Sequence, residues 1–239
     1  MRNLACAASA TALLAAASAA VAQTPSNEPV VLEEIVVTAT RRAERLQDVP
    51  LSITAFTQAE LTQKGIVGVE GIAKETPGVV MDNRSSNNLS VTTRGISVNG
   101  YDAGLQSTTT IYLNDLPLTT IGNSVTLDPT LFDVERVEFL RGPQGTLFGS
   151  GSLSGALRIL TKSPNLTETD KALSVDGGYM PASNGLRQRY NGMVNVPLVE
   201  DKLGLRVVGF YRHEDGYVEN TGTGKKHANT LESVGGRAM

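Results

Sequence analysis

The stretch "EFLRGPQGTLFGSGSLSG", Glu138 to Gly155, is where site chemistry would be sought first. Five glycines, Gly142, Gly145, Gly149, Gly151 and Gly155, follow a strand-like run, with no acidic residue after Glu138. Such a run can cradle phosphate on backbone N–H groups or hold a nucleophile in a tight turn. Each template fails on spacing. A dinucleotide fingerprint begun at Gly149 needs glycine at position 154, which is Ser154. A P-loop needs Gly-Lys-Ser or Gly-Lys-Thr, and no lysine lies between Arg141 and Leu160. A nucleophile elbow needs a serine centred between its glycines, and the Gly151 to Gly155 interval centres on Leu153. What remains is backbone permissiveness: turns and close packing where a side chain would not fit.

The other reactive residue types are scarce. The two histidines, His213 and His227, sit in polar, glycine-containing surroundings at a spacing that pairs them on neither helix nor strand. Cys6 is the only cysteine. The sequence therefore offers no catalytic residue, no metal site and no cofactor motif. A secreted hydrolase would need a nucleophile, a base and an orienting group, and neither histidine lies in such a motif.

Residues 1–22 read "MRNLACAASATALLAAASAAVA": Arg2, a long Ala/Leu run, then Ala20-Val21-Ala22. This is a secretory signal pattern with cleavage between Ala22 and Gln23. Its weak hydrophobicity argues against an anchor, and Cys6 comes too early for lipid attachment. Loss of Arg2 takes the formal charge from −3 to −4, which excludes an electrostatic footprint for nucleic acid.

The elements behind these residues fall into three regions. Residues 23–45 are a polar lead followed by "EEIVVTATRRAER", in which Ile35, Val36, Val37 and Thr38 are β-prone. That run reads as an ordinary first strand, or as a segment that adds to a partner's sheet edge. Residues 46–164 read as α+β. Thr57-Gln58-Ala59-Glu60 is a capping box with Gly65 placed to end its helix, and a second helix covers Val67 to Glu75 before Thr76-Pro77-Gly78. Short strands are expected at Ser52 to Phe56, Val79 to Met81, Leu89 to Arg94, Thr110 to Leu113, Val134 to Leu140 and Ala156 to Thr161. From Lys171 the texture alternates. Leu173, Val175, Gly177 and Tyr179 share a face, as do Tyr190, Gly192, Val194, Val196 and Leu198, and Leu203, Leu205, Val207, Gly209 and Tyr211. Such strands suit an outer-membrane barrel wall; a soluble antiparallel sheet with one wet face has the same pattern. Residues 199–201 are expected as a short turn and residues 213–228 as a longer external loop.

The segments "EEIVVTATRR", "DVPLSITAF", "TPGV", "TTRGI", "IYLNDLPL" and "DVERVEFLRGPQGTLFGSGSLSGALRILTKSP", in this order, resemble the N-terminal part of a TonB-dependent outer-membrane receptor. The resemblance runs from about Glu33 to the C-terminus, and its last block is the most specific. It implies an α+β plug domain over 46–164, followed by the first strands of a transmembrane antiparallel β-barrel. Glu34, Ile35, Val36, Val37, Thr38 and Ala39 match the TonB box, which pairs with a strand of the periplasmic energy transducer; this displaces the ordinary-strand reading. The glycine run matches the plug segment that packs on the inner barrel wall. Arg94 and Arg141 match plug arginines that pair with wall carboxylates. Outward plug loops contribute to the substrate site in the family, and the matching residues with hydrogen-bonding groups are Asn83, Arg84, Tyr101, Gln106 and Asn123.

The function implied is energised uptake of a scarce nutrient, foremost a ferric siderophore, with the transducer and outer-membrane lipid as partners. Relatives often carry Gly-Arg-Asn-Ala where this chain has Gly149-Ser150-Gly151-Ser152. Residues 171–239 supply about four strands, and a closed single-chain barrel needs about eight. The expectation is therefore a fragment, and the rival reading is a truncated product that does not transport and at most binds the transducer.

Overall fold

The computed structural model describes residues 35–38, 42–85, 88–98, 106–118, 129–181 and 184–239, with the backbone alone for the strand residues within 83–88. Two short strands open it, β1 (Val36–Val37) and β2 (Glu44–Arg45), paired antiparallel. β3 (Ser52–Thr57) then runs into α1 (Gln58–Gln63). The capping box is formed as the sequence predicts: the Glu60 N–H donates to Thr57 Oγ1 at 3.3 Å, and the Thr57 N–H donates to Glu60 Oε2 at 2.8 Å. Gly65 follows with φ of 65°, in the left-handed region that ends helices. α2 (Val69–Glu75) starts two residues later than its periodicity predicts, because Gly68 takes the extended N-cap position.

The rest of this part is a hairpin and a mixed sheet. β4 (Val79–Ser85) pairs with β5 (Asn88–Thr93). β6 (Thr109–Leu113), β7 (Leu116–Pro117), β8 (Val134–Arg141), a single helical turn α3 (Gly145–Phe148) and β9 (Gly155–Thr161) follow. The sheet order is β3-β8-β9-β6-β7, antiparallel except for the parallel β6–β9 pair. Its two faces differ. Phe56, Val137, Phe139, Leu157 and Ile159 meet Leu61 and Ile72 of the helices in the main core. On the other face Tyr112, Leu140, Ala156 and Phe148 form a smaller cluster. At these positions β8 and β9 read as near-continuous apolar runs because both faces are covered.

The alternating region is a four-strand meander: β10 (Asp170–Met180), β11 (Gly185–Val199), β12 (Leu203–Glu214) and β13 (Leu231–Ala238). The expected face is exposed along each strand: Leu173, Val175 and Tyr179; Tyr190, Val194, Val196 and Leu198; Leu203, Leu205 and Val207. A tight turn joins β11 to β12, as expected, while β12 continues through His213 so that the longer loop begins at Asp215. β10 and β13 are the edges, and these four strands do not close into a barrel. Among the described residues no helix is long and apolar enough to cross a membrane, which leaves crossing by strands open.

Candidate partner-docking site

β8 and β9 bring three charged side chains together on the sheet's smaller-core face. Arg136 and Glu138 lie two apart on β8 and so share a face, and Arg158 of β9 is the registered partner of Glu138. Glu138 is 0% exposed. Its carboxylate accepts from Arg136 Nε at 2.8 Å and from Arg158 Nη1 at 2.7 Å. Two guanidiniums flank one buried carboxylate, and the excess positive charge is met at the rim by Glu135 beside Arg136 and by Asp115 3.9 Å from Arg158. A buried charge needs such partners, because an unpaired one costs several kcal/mol.

Thr38 completes this cluster from residues 35–38. Its backbone N–H donates to Glu138 Oε1 at 2.9 Å, and its Oγ1 accepts from Arg136 Nη2 at 3.0 Å and Arg158 Nη1 at 3.1 Å. One residue earlier, Val37 is fully buried in a pocket with Val49 and Ala55, edged by Ile35, Leu46 and Ile53. Ala55 is the β3 partner of Glu138, so a small residue stands beside the carboxylate where the incoming segment lies. The β1–β2 ladder, extended by the Leu46 N–H to Ile35 carbonyl bond at 3.0 Å, holds the backbone from its other side. Burying Val37 stabilises the docked segment by about 1.5–3 kcal/mol. The charge-assisted bonds to Thr38 add about 1.5–3 kcal/mol.

These observations sit beside three comparisons. Residues 45–156 match the family described as TonB-dependent Receptor Plug Domain. Over these residues the chain carries the plug domain of a TonB-dependent receptor. It is 28% identical over 208 residues to the pesticin receptor of Yersinia pestis, across 84% of this chain and 28% of that protein. It is 26% identical over 132 residues to the ferripyoverdine receptor of Pseudomonas aeruginosa, across 54% and 15%. The solved ferric yersiniabactin uptake receptor of Yersinia pestis superposes with a TM-score of 0.64 at 25% identity, covering 79% of this chain and 28% of that one. The alcaligin outer-membrane receptor of Bordetella pertussis shares the fold, with a TM-score of 0.54 at 22% identity over 77% and 30%. The chain spans less than a third of the length of these relatives. The mixed sheet with its helices is the plug, and the meander is a piece of outer-membrane wall.

The expected site residues fare differently. Ile35, Val36, Val37 and Thr38 of the box are seated on their own plug; Glu34 and Ala39 lie outside the described residues. Tyr101 and Asn123 lie outside as well, and the side chains of Asn83 and Arg84 are not described. Gln106 is exposed, with Cδ 3.9 Å from the place a Cβ on Gly151 would take. The pairing of Arg94 and Arg141 with wall carboxylates remains a proposal. Among the described residues neither Arg94 nor Arg141 meets a wall carboxylate; Arg94 is exposed, and Arg141 donates to the Pro77 carbonyl at 3.2 Å. Among the described residues the plug–wall ion pairs have the opposite polarity, with Asp133 on the plug and Arg206 and Arg237 on the wall.

Packing of the glycine run on the wall remains a proposal. The close neighbours of this run belong to the plug. A Cβ on Gly151 would lie 2.6 Å from Thr110 Oγ1, and one on Gly155 would lie 2.7 Å from the Leu140 carbonyl. Gly145 and Gly149 have nothing within 4 Å of that position, and Gly142 has only Arg94 Nη1, at 3.8 Å. Gly142, Gly149 and Gly151 have φ of 110°, 78° and 88° and serve turns; Gly151 and Gly155 serve close approach, and Gly145 shows neither feature.

Proposed function

We propose that the chain acts in energised import of a ferric siderophore across the outer membrane, with residues 34–39 as the segment that a TonB-type transducer grasps. The observation that carries this is the seat of Thr38 and Val37. An extended segment is held on the plug by one two-residue ladder, one buried valine and a few hydrogen bonds, all of which a partner strand could replace. The names of the relatives, receptors for pesticin, ferripyoverdine and ferric yersiniabactin, support an iron-loaded siderophore as cargo. The cargo is bound and moved, and no covalent bond is made or broken. Asn83, Arg84, Tyr101, Gln106 and Asn123 remain the proposed ligand contacts from the plug.

The experiment is uptake of radio-iron-loaded yersiniabactin and pyoverdine by an iron-starved receptor-deletion strain carrying the gene. Uptake of at least one is expected, together with its loss in Val36→Pro or Val37→Pro, since proline removes an N–H and fixes φ. Uptake that persisted in both proline variants would remove the box from the mechanism. Failure with both ligands, alongside normal binding of a purified transducer domain, would remove siderophores of these kinds as cargo.

A further inference from the structure

The hairpin that carries the box seat is fastened to the wall at its open end. Its entry corner, Phe132–Asp133, meets two adjacent wall strands. Arg206 of β12 donates from Nε to Asp133 Oδ2 at 2.8 Å and from Nη2 to Oδ1 at 2.5 Å, a bidentate pair in which each side chain is 4% exposed. Arg237 of β13 donates from Nη2 to the Phe132 carbonyl at 2.7 Å and to the Asp133 carbonyl at 2.6 Å. Asp133 holds φ of 58°, a left-handed conformation that persists where surroundings over-determine it. The exit of the hairpin is fastened too. Buried Asn195 of β11 accepts the Asn165 N–H at 2.9 Å and donates to the Asn165 and Glu168 carbonyls at 3.0 and 2.8 Å. Val134 and Thr161 are registered partners, so both fastenings lie at one end of β8–β9.

The opposite side of the seat is loosely held. β3 follows the box closely in the chain, stands at the sheet edge, and has β8 as its single neighbour in the sheet. Among the described residues, a pull on the box therefore reaches an edge strand before it reaches a residue tied to these four wall strands.

We propose that the clamp of Asp133 by Arg206 and Arg237 is the fixed point of the plug. Chain drawn out through the box comes free up to Asp133 and stops there, and β8–β9 stay on the wall. This rests on the box being the point of pull in the proposed function, but its test does not need the transducer.

The receptor, in a supported outer-membrane lipid bilayer, is pulled by single-molecule force spectroscopy from a handle attached ahead of Ile35. The parent is expected to extend by no more than the 99 residues 35–133, roughly 33–36 nm of chain, before a distinct higher-force barrier. Asp133→Asn keeps the shape and removes the charge. It should lower that barrier clearly, although Arg237 keeps the Phe132 and Asp133 carbonyls. Arg206→Met, which removes the bidentate guanidinium and leaves the Asp133 carboxylate with Arg237 at 3.7 Å, is the second variant, in case the first folds poorly. A parent trace with no stop near this length overturns the proposal, and so does a stop unchanged in either folded variant. Binding of a purified transducer domain to the unpulled receptor is scored separately: its absence would sink the proposed function and leave the stop length to stand or fall alone.

Discussion

Replacing Thr38 with valine keeps the shape of the side chain and removes one oxygen. That oxygen accepts from Arg136 at 3.0 Å and from Arg158 at 3.1 Å. Both guanidiniums keep Glu138, and the Thr38 N–H bond to Glu138 is untouched. Each arginine therefore loses one of several acceptors, at about 1 kcal/mol apiece. The sum, about 2 kcal/mol, changes the ratio of seated to released box by about 30-fold. When only the released box binds, the apparent affinity for the transducer scales with the released fraction. Thr38→Val should thus tighten binding of a purified transducer periplasmic domain, measured by calorimetry, by up to about 30-fold. A synthetic peptide of residues 33–42, with and without the substitution, gives the intrinsic effect on strand addition, since the peptide has no seat. The reasoning is refuted if receptor and peptide change by the same factor, because then Thr38 speaks only to the partner.

Gly149→Ala and Gly151→Ala separate turning from packing: both have positive φ, but only Gly151 has a neighbour, Thr110 Oγ1, within 3 Å of a new Cβ. Gly149→Ala should cost about 1–2 kcal/mol and Gly151→Ala about 2–4 kcal/mol, read as shifts in the plug's urea midpoint. The Asp215 carboxylate accepts the Leu186 N–H at 2.7 Å, and that bond, ahead of the bond to His213, holds its carboxyl below its ordinary value. A carboxyl depressed in the fold contributes stability above its unfolded pKa and loses it as pH falls through the folded pKa. The Leu186 amide resonance should therefore stay in place through the ordinary carboxylate range and move only at lower pH, and Asp215→Asn should remove the dependence. Intact-mass analysis of membrane material should give a mature chain beginning at Gln23; retention of residues 1–22 would make that segment an anchor.

Much of the fold was legible because it rests on short-range rules. Thr57 and Glu60 cap α1 through contacts three residues apart, and Gly65 ends it by its own backbone freedom. The period of two in β10, β11 and β12 fixes which side chains face outward without knowledge of what lies inside. The single turn α3 was missed, since four residues carry no helical period. The plug-side neighbours of Gly151 and Gly155 were not legible for a different reason. That Gly151 abuts Thr110 and Gly155 abuts Leu140 depends on the parallel pairing of β6 with β9 and on the β8–β9 register, and neither is local.

The docking site shows the same limit more sharply. Charged residues two apart on a strand, Arg136 and Glu138, normally mark a wet face, so nothing local distinguishes them from a solvated edge. Arg158 in "GALRILT" was the better clue, because a guanidinium in an otherwise apolar strand needs a carboxylate within reach. Only the register supplies one: it sets Ala55, Glu138 and Arg158 side by side on three strands. The small residue then leaves room for Val37, and the carboxylate with its two guanidiniums leaves a donor–acceptor pattern that Thr38 matches through both backbone and hydroxyl. An apolar seat of the same area would hold the box without discrimination of register. A seat that pairs one N–H and one oxygen with three charged groups fixes which residue sits there, and in the proposed function a partner strand that offers its backbone the same bonds would release it.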